Sequence, residues 1–214
     1  MKSISMSLAV FILFAQSIAA QKKAELNLSD AMQVDSSDYF IIPRLVDSYD
    51  RSLYGNGKGY MPWNNYSNIY FYNTTTNESK KLFGNTLVLI VPFITGNFSK
   101  DPSPQYPANL LDKHIVYLAR TENYNRDNAI DSQDPVYFYI SDKTGNNLKQ
   151  ITPQGMNVVS WVTSKDRKII LVKLQIDKNG NRKFGEGDDD VYYRIDLKDD
   201  ISQIEARQVK LQDQ

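Results

Sequence analysis

Over most of this chain apolar residues recur at every second position, the period of an extended strand and not of a helix. In residues 168–176, Ile170, Val172, Leu174 and Ile176 fall on one strand face, and Ile169, Leu171, Lys173 and Gln175 on the other. Residues 191–197 read alike. Val191, Tyr193, Ile195 and Leu197 turn to a core, while Arg194 and Asp196 turn to water. Further strands are predicted at 69–72, 80–83, 87–94, 115–119, 136–140, 147–151, 158–162 and 203–209, separated by runs of Asn, Gly, Asp and Pro. The expected class is all-β and antiparallel.

The strands repeat in order. Residues 115–119 match 169–173 in kind, 136–140 match 191–195, and 69–72 is a third copy of that aromatic strand. Each aromatic strand leads through a polar turn into another strand. The apolar strands 87–94 and 158–162 precede the second and third copies. The units are about 38–83, 84–152 and 153–211, or two and a half four-stranded units on the plan of a propeller blade. The run Tyr139-Ile-Ser-Asp-Lys-Thr-Gly-Asn-Asn-Leu-Lys-Gln-Ile-Thr-Pro153, with Ser160-Trp161 and Lys165-Asp-Arg-Lys-Ile-Ile170 after it, resembles a TolB-type propeller repeat. In that family a strand ending in Asp passes through a Gly turn into a Leu-x-x-Leu-Thr-Pro strand. The resemblance implies a β-propeller-related fold. Two and a half blades fall short of the four or more that close a ring, so an incomplete or open propeller is expected, with oligomerisation as one way to complete it.

Residues 1–20 have the layout of a secretory signal peptide: Lys2, an apolar run from Leu8 to Ala15, and the small-residue exit Ser17-Ile-Ala-Ala20. The run is too short to cross a bilayer core of about 30 Å. Cleavage near Ala19 or Ala20 leaves a polar segment, 21–36, and a β-repeat domain, 37–214, with no membrane span. No cysteine follows the exit, which excludes a lipoprotein. Five Asn-x-Ser/Thr triplets, at Asn27, Asn65, Asn73, Asn77 and Asn97, would accept glycans in a eukaryotic secretory route. Export without cysteine is more typical of bacteria, and the reading adopted is a bacterial periplasmic or extracellular protein.

Composition narrows the chemistry. Lys plus Arg and Asp plus Glu number 25 each, so no net field favours nucleic acid. The absence of cysteine excludes thiolate metal sites and a cysteine nucleophile, and one histidine, His114, cannot form a multi-histidine site. Fourteen tyrosines suit half-buried strand faces.

The most specific local signal lies at 177–188. Asp177, Asn179, Asn181 and Asp188 stand at positions 1, 3, 5 and 12 of a twelve-residue loop, the oxygen-ligand spacing of an EF-hand calcium loop, with the Lys183 carbonyl at position 7. Phe184 at position 8 is apolar, as expected of an anchor. The loop resembles those of EF-hand and dockerin proteins but carries Arg182 where that family has Gly and Asp188 where it has Glu, and strands flank it. Acidic residues (Asp177, Glu186, Asp188, Asp189 and Asp190) outnumber Arg182 and Lys183. The preceding unit repeats the spacing 54 residues earlier: Asn123, Asn125, Asp127 and Asp134 at positions 1, 3, 5 and 12, Asp131 at 9 and Ile130 at 8. One or two Ca2+ sites are expected, at the 177–188 loop first and at the 123–134 loop second.

Other features point to chemistry less directly. His114 lacks a nucleophile partner and reads as an edge residue, Ser160-Trp161 lacks a hydrolase elbow, and Trp161 reads as core. Tyr54, Tyr60, Trp63, Tyr66 and Tyr70 form an aromatic stretch suited to packing or to a glycan surface. The expected function is an exported, non-catalytic binding or interaction protein with calcium-stabilised loops and a protein or glycan partner. The alternative is a carbohydrate-binding or glycan-processing accessory using residues 54–70.

Overall fold

The computed structural model describes residues 26–35, 37–46, 65–84, 86–92 and 111–211. The segments predicted as signal peptide and most of the 54–70 aromatic stretch lie outside them, as does Asn97.

Twelve antiparallel strands lie among the described residues: β1 (Met32–Gln33), β2 (Tyr39–Leu45), β3 (Tyr66–Asn73), β4 (Glu78–Lys81), β5 (Leu89–Ile90), β6 (His114–Arg120), β7 (Tyr137–Asp142), β8 (Lys149–Gln150), β9 (Met156–Thr163), β10 (Ile169–Ile176), β11 (Asp189–Asp196) and β12 (Ala206–Gln208). No α-helix occurs among the described residues. One sheet runs β1-β2-β3-β5-β6-β7-β8 with β4 paired to β3, and the other runs β12-β11-β10-β9. Both orders are open, and no ring closes among the described residues.

Side-chain alternation sorts these strands into three layers. Along β6 and β7, Ile115, Tyr117, Ala119, Tyr137 and Tyr139 join one core with Ile41, Ile69, Phe71 and Leu82. The intervening Val116, Leu118, Phe138 and Ile140 join a second core with Trp161, Ile170, Val172, Leu174, Val191, Tyr193 and Ile195. The β6–β7 hairpin is thus covered on both faces, by β1–β4 on one side and by β9–β12 on the other. This is why both strands read as nearly continuous apolar runs. Edge-to-face ring pairs knit the layers: Phe83 with Tyr139 at 5.3 Å and Phe138 with Trp161 at 5.3 Å. Between β3 and β5 a single residue pair, Tyr66 with Ile90, carries the sheet from the first layer to the second.

The third layer follows the predicted alternation. Val172 pairs with Tyr193 and Leu174 with Val191, all buried, and Arg194 is exposed. Val158 and Trp161 are an odd number of residues apart and would face opposite ways on a regular strand. A bulge in the β9–β10 pairing between Lys173 and Leu174 turns both inward.

Three predicted strands end up shorter. The strand expected at 203–209 begins as a 3₁₀ turn, Ile201–Gln203, that sets Ile201 and Ile204 into the core three residues apart. Within 87–94 only Leu89–Ile90 pair as a strand among the described residues, and within 147–151 only Lys149–Gln150.

Candidate functional site

Both twelve-residue loops follow a strand of the β6–β7 or β10–β11 hairpin and lie at the same end of the stacked layers. Their internal hydrogen bonds coincide position by position. The position 5 N–H donates to the side-chain oxygen of position 1: Asp127 to Asn123 Oδ1 at 3.1 Å, Asn181 to Asp177 Oδ1 at 3.1 Å. It also donates to position 3: Asp127 to Asn125 Oδ1 at 3.0 Å, Asn181 to Asn179 Oδ1 at 2.9 Å. The position 7 N–H donates to position 5: Ala129 to Asp127 Oδ1 at 3.0 Å, Lys183 to Asn181 Oδ1 at 2.8 Å.

The loop ends close in the same way. The position 12 carboxylate accepts from the position 9 N–H, Asp131 to Asp134 Oδ2 and Gly185 to Asp188 Oδ2, both at 3.0 Å. It also accepts from position 2, Tyr124 to Asp134 Oδ1 at 2.7 Å and Lys178 to Asp188 Oδ1 at 3.2 Å. Positive φ recurs at position 4 (Arg126, 64°; Gly180, 70°) and at position 6 (Asn128, 71°; Arg182, 60°). Arg182 therefore adopts the left-handed conformation for which EF-hand loops use Gly, and departs in residue type only.

Each of these oxygens accepts one or two backbone N–H groups of its own loop. A carboxylate or amide oxygen has two lone pairs, so such a ring of oxygens retains acceptor capacity for a hard cation. The donor set mixes Asn with Asp, and no group of three or more His, Cys, Asp or Glu side chains converges among the described residues.

The loops differ in electrostatics. Asp189 and Asp190 belong to β11. They pair with Lys178 at 3.0 Å and Lys173 at 2.6 Å, which removes them from the loop's acidic excess. With Lys178 engaged by Asp189, Asp177, Glu186 and Asp188 remain against Arg182 and Lys183. The 123–134 loop holds Asp127, Asp131 and Asp134 against Arg126 alone. Two of its carboxylates are buried, Asp131 at 6% exposure and Asp134 at 2%. Burial pushes the Asp134 carboxyl above its ordinary range and the Asp131 charge adds to this, against the pull of the backbone N–H groups of Asp131, Tyr124 and Asn125.

Neighbouring layers anchor the 123–134 loop. Ile130 is buried in a cluster with Val46 and Leu89, in the anchoring role assigned to position 8. Arg120 Nε donates to the Asp134 carbonyl at 3.0 Å. Glu122, one residue before the loop, accepts from the Tyr137 hydroxyl and from Gln154 Nε2 at 2.6 Å, and Gly155 N–H donates to the Tyr137 oxygen at 3.0 Å. Burial first, then the Glu122 carboxylate, raises the Tyr137 phenol far above its ordinary range. No sequence pattern announced this clamp, because its members are scattered between Glu122 and Gly155.

The other end of the layers holds a cleft of about 530 Å³ lined in part by Lys113, His114, Asp166, Lys168 and Asp199. His114 is the first residue of β6 and is 4% exposed, so the edge position expected for it is corrected to a buried one. Burial holds its imidazole below the usual range, against its hydrogen bond to the Lys198 backbone and the nearby Asp199 charge. Asp199 pairs with Lys113 at 2.7 Å, and Asp166 accepts from Ser164 Oγ at 2.5 Å. The carboxylates of the two loops do not line this cleft.

Of the aromatic stretch, Tyr66 is buried and Tyr70 half-buried, and Tyr54, Tyr60 and Trp63 lie outside the described residues. Asn65 is also buried, so that triplet presents no glycan acceptor at the surface. No helix among the described residues is long and apolar enough to cross a membrane. Comparison with protein-family models, with curated proteins and with solved structures found no match to this chain.

Proposed function

We propose that this chain is an exported, non-catalytic binding module. In this reading its layers are TolB-like propeller blades stacked in an open array, and calcium pins the 123–134 and 177–188 loops. The observation that carries the metal reading is the repetition of seven features, five hydrogen bonds and two positive φ angles, at the same loop positions, 54 residues apart. Solvated hairpin turns have no reason to keep that register twice. The buried pair Asp131 and Asp134 adds a physical motive, since a cation would neutralise charge that burial disfavours. Calcium accepts a mixture of carboxylate, amide and backbone oxygens, which is the mixture these loops hold.

Metal bound only by the folded chain would stabilise it, by about 2.7 kcal/mol per site at about 100 times Kd. The role is structural first: it holds two strand connections rigid so that they present a fixed surface to a protein or glycan partner. Thermal unfolding of the chain from Gln21 onward, in EDTA, magnesium and calcium, tests the reading. A calcium-selective rise in Tm, reduced in Asn123→Ala/Asp134→Asn and in Asp177→Ala/Asp188→Ala, is expected. Identical melting in all three solutions would leave both loops as hydrogen-bonded turns.

A further inference from the structure

Tyr124 occupies position 2 of the 123–134 loop, yet its side chain ends in the other loop. Its hydroxyl donates to Asp177 Oδ2 at 3.2 Å, and its ring lies 5.4 Å from that of Phe184, tilted by 34°. Its backbone N–H donates to Asp134 Oδ1 at 2.7 Å. The residue that closes one loop is therefore joined, through Tyr124, to the residue that opens the other. The same Asp177 oxygen accepts from the Arg182 N–H at 2.8 Å, whereas Oδ1 accepts from the Asn181 N–H at 3.1 Å. The hydroxyl thus adds a second donor to Oδ2, fixing the carboxylate's rotation and leaving Oδ1 the less saturated oxygen.

We infer that Tyr124 is a positioning residue for the 177–188 loop and couples that loop to its own. The inference takes its metal arm from the calcium reading above, and its metal-free arm from these contacts alone. A carboxylate already fixed loses less freedom when it takes a ligand. Anything that rigidifies the 123–134 loop steadies Tyr124 through Asp134, and so favours a ligand at Asp177. By linkage the effect runs equally in reverse.

Tyr124→Phe separates the parts, since it keeps the ring against Phe184 and removes only the hydroxyl. In EDTA, amide hydrogen exchange at Asn181 and Arg182, whose N–H groups rest on Asp177, is expected to quicken about fivefold, and exchange at Asp127 and Ala129, whose loop is also anchored by Ile130 and Arg120, by much less. In calcium, the affinity of the 177–188 loop is expected to fall by a similar factor. Asp134→Asn is then expected to weaken that loop in the wild type but not in the Tyr124→Phe background.

Unchanged exchange at Asn181 and Arg182 overturns the inference whatever calcium does. Equal quickening in both loops overturns it too, because the hydroxyl would then serve general packing. If the wild type binds calcium and Tyr124→Phe leaves its affinity unchanged, the coupling is overturned. Selective quickening in a wild type that ignores calcium sustains the positioning role and refutes the metal reading instead.

Discussion

Gly145 offers the sharpest test of how the first two layers meet. It ends the Asp142-Lys-Thr-Gly turn between β7 and β8, where Asp142 Oδ1 accepts from the Thr144 and Asn146 N–H groups at 2.9 and 2.8 Å. Its φ is +73°, and a methyl group placed on it would lie 2.8 Å from Phe71 Cγ and closer still to Cδ2 and Cε2. Phe71 is 1% exposed and sits in the core between the layers, so its ring cannot swing away. Gly145→Ala therefore meets two costs, about 1–2 kcal/mol for an L-residue in the left-handed region and about 1–3 kcal/mol for overpacking. A stiffer unfolded chain returns about 0.4–1 kcal/mol. The expected loss is about 2–4 kcal/mol, or roughly 5–15 °C in Tm for a chain of this size. Gly84→Ala is the control, because its φ is +55° but a methyl there meets nothing within 4 Å. That variant should lose only about 0.5–1.5 kcal/mol. Urea unfolding of both variants in EDTA gives the comparison. Equal losses would refute the contact between the turn and Phe71, and with it the close approach of the layers.

His114 is the only histidine, so it isolates one pH effect. Its folded-state pKa is depressed, so the unfolded chain takes up a proton first. Stability should be full above about pH 6.5 and decline as pH falls from there toward the folded pKa, and His114→Gln should flatten that slope in urea unfolding. A slope unchanged by the substitution would mean that the ring is not held neutral by burial. Arg182→Gly should relieve a backbone strain of about 1–2 kcal/mol at φ 60° and remove a cation from the 177–188 loop. Tighter calcium binding at that loop, measured by titration, is the expected outcome, and weaker binding would argue against the cation site.

Much of the fold was legible because one physical rule, alternation across a half-buried sheet, governs β10 and β11 directly. The β6–β7 hairpin was legible for the opposite reason, since cover on both faces makes residues 115–119 and 136–140 almost wholly apolar. β2 was not foreseen. Pro43 and Arg44 interrupt its pattern, and it gives the core between the first two layers the buried Ile41, with Tyr39 and Leu45 packed against it. Within the candidate site, the spacing of Asn and Asp residues located both loops, because Asx side chains bond backbone groups two to four residues onward and such contacts are local. Non-local contacts were illegible. Nothing near Asp190 in sequence shows that Lys173 neutralises it across a strand pair, or that Tyr124 reaches Asp177, 53 residues away. Burial of Asp131 and Asp134 was hidden for the same reason.

Isothermal titration of the chain with calcium tests the central claim most directly, with the two loop variants measured beside the wild type. The account predicts two calcium ions per wild-type chain and one for each of Asn123→Ala/Asp134→Asn and Asp177→Ala/Asp188→Ala, with the 123–134 site the tighter. No heat of calcium binding in the wild type, or a stoichiometry that neither variant lowers, would contradict it.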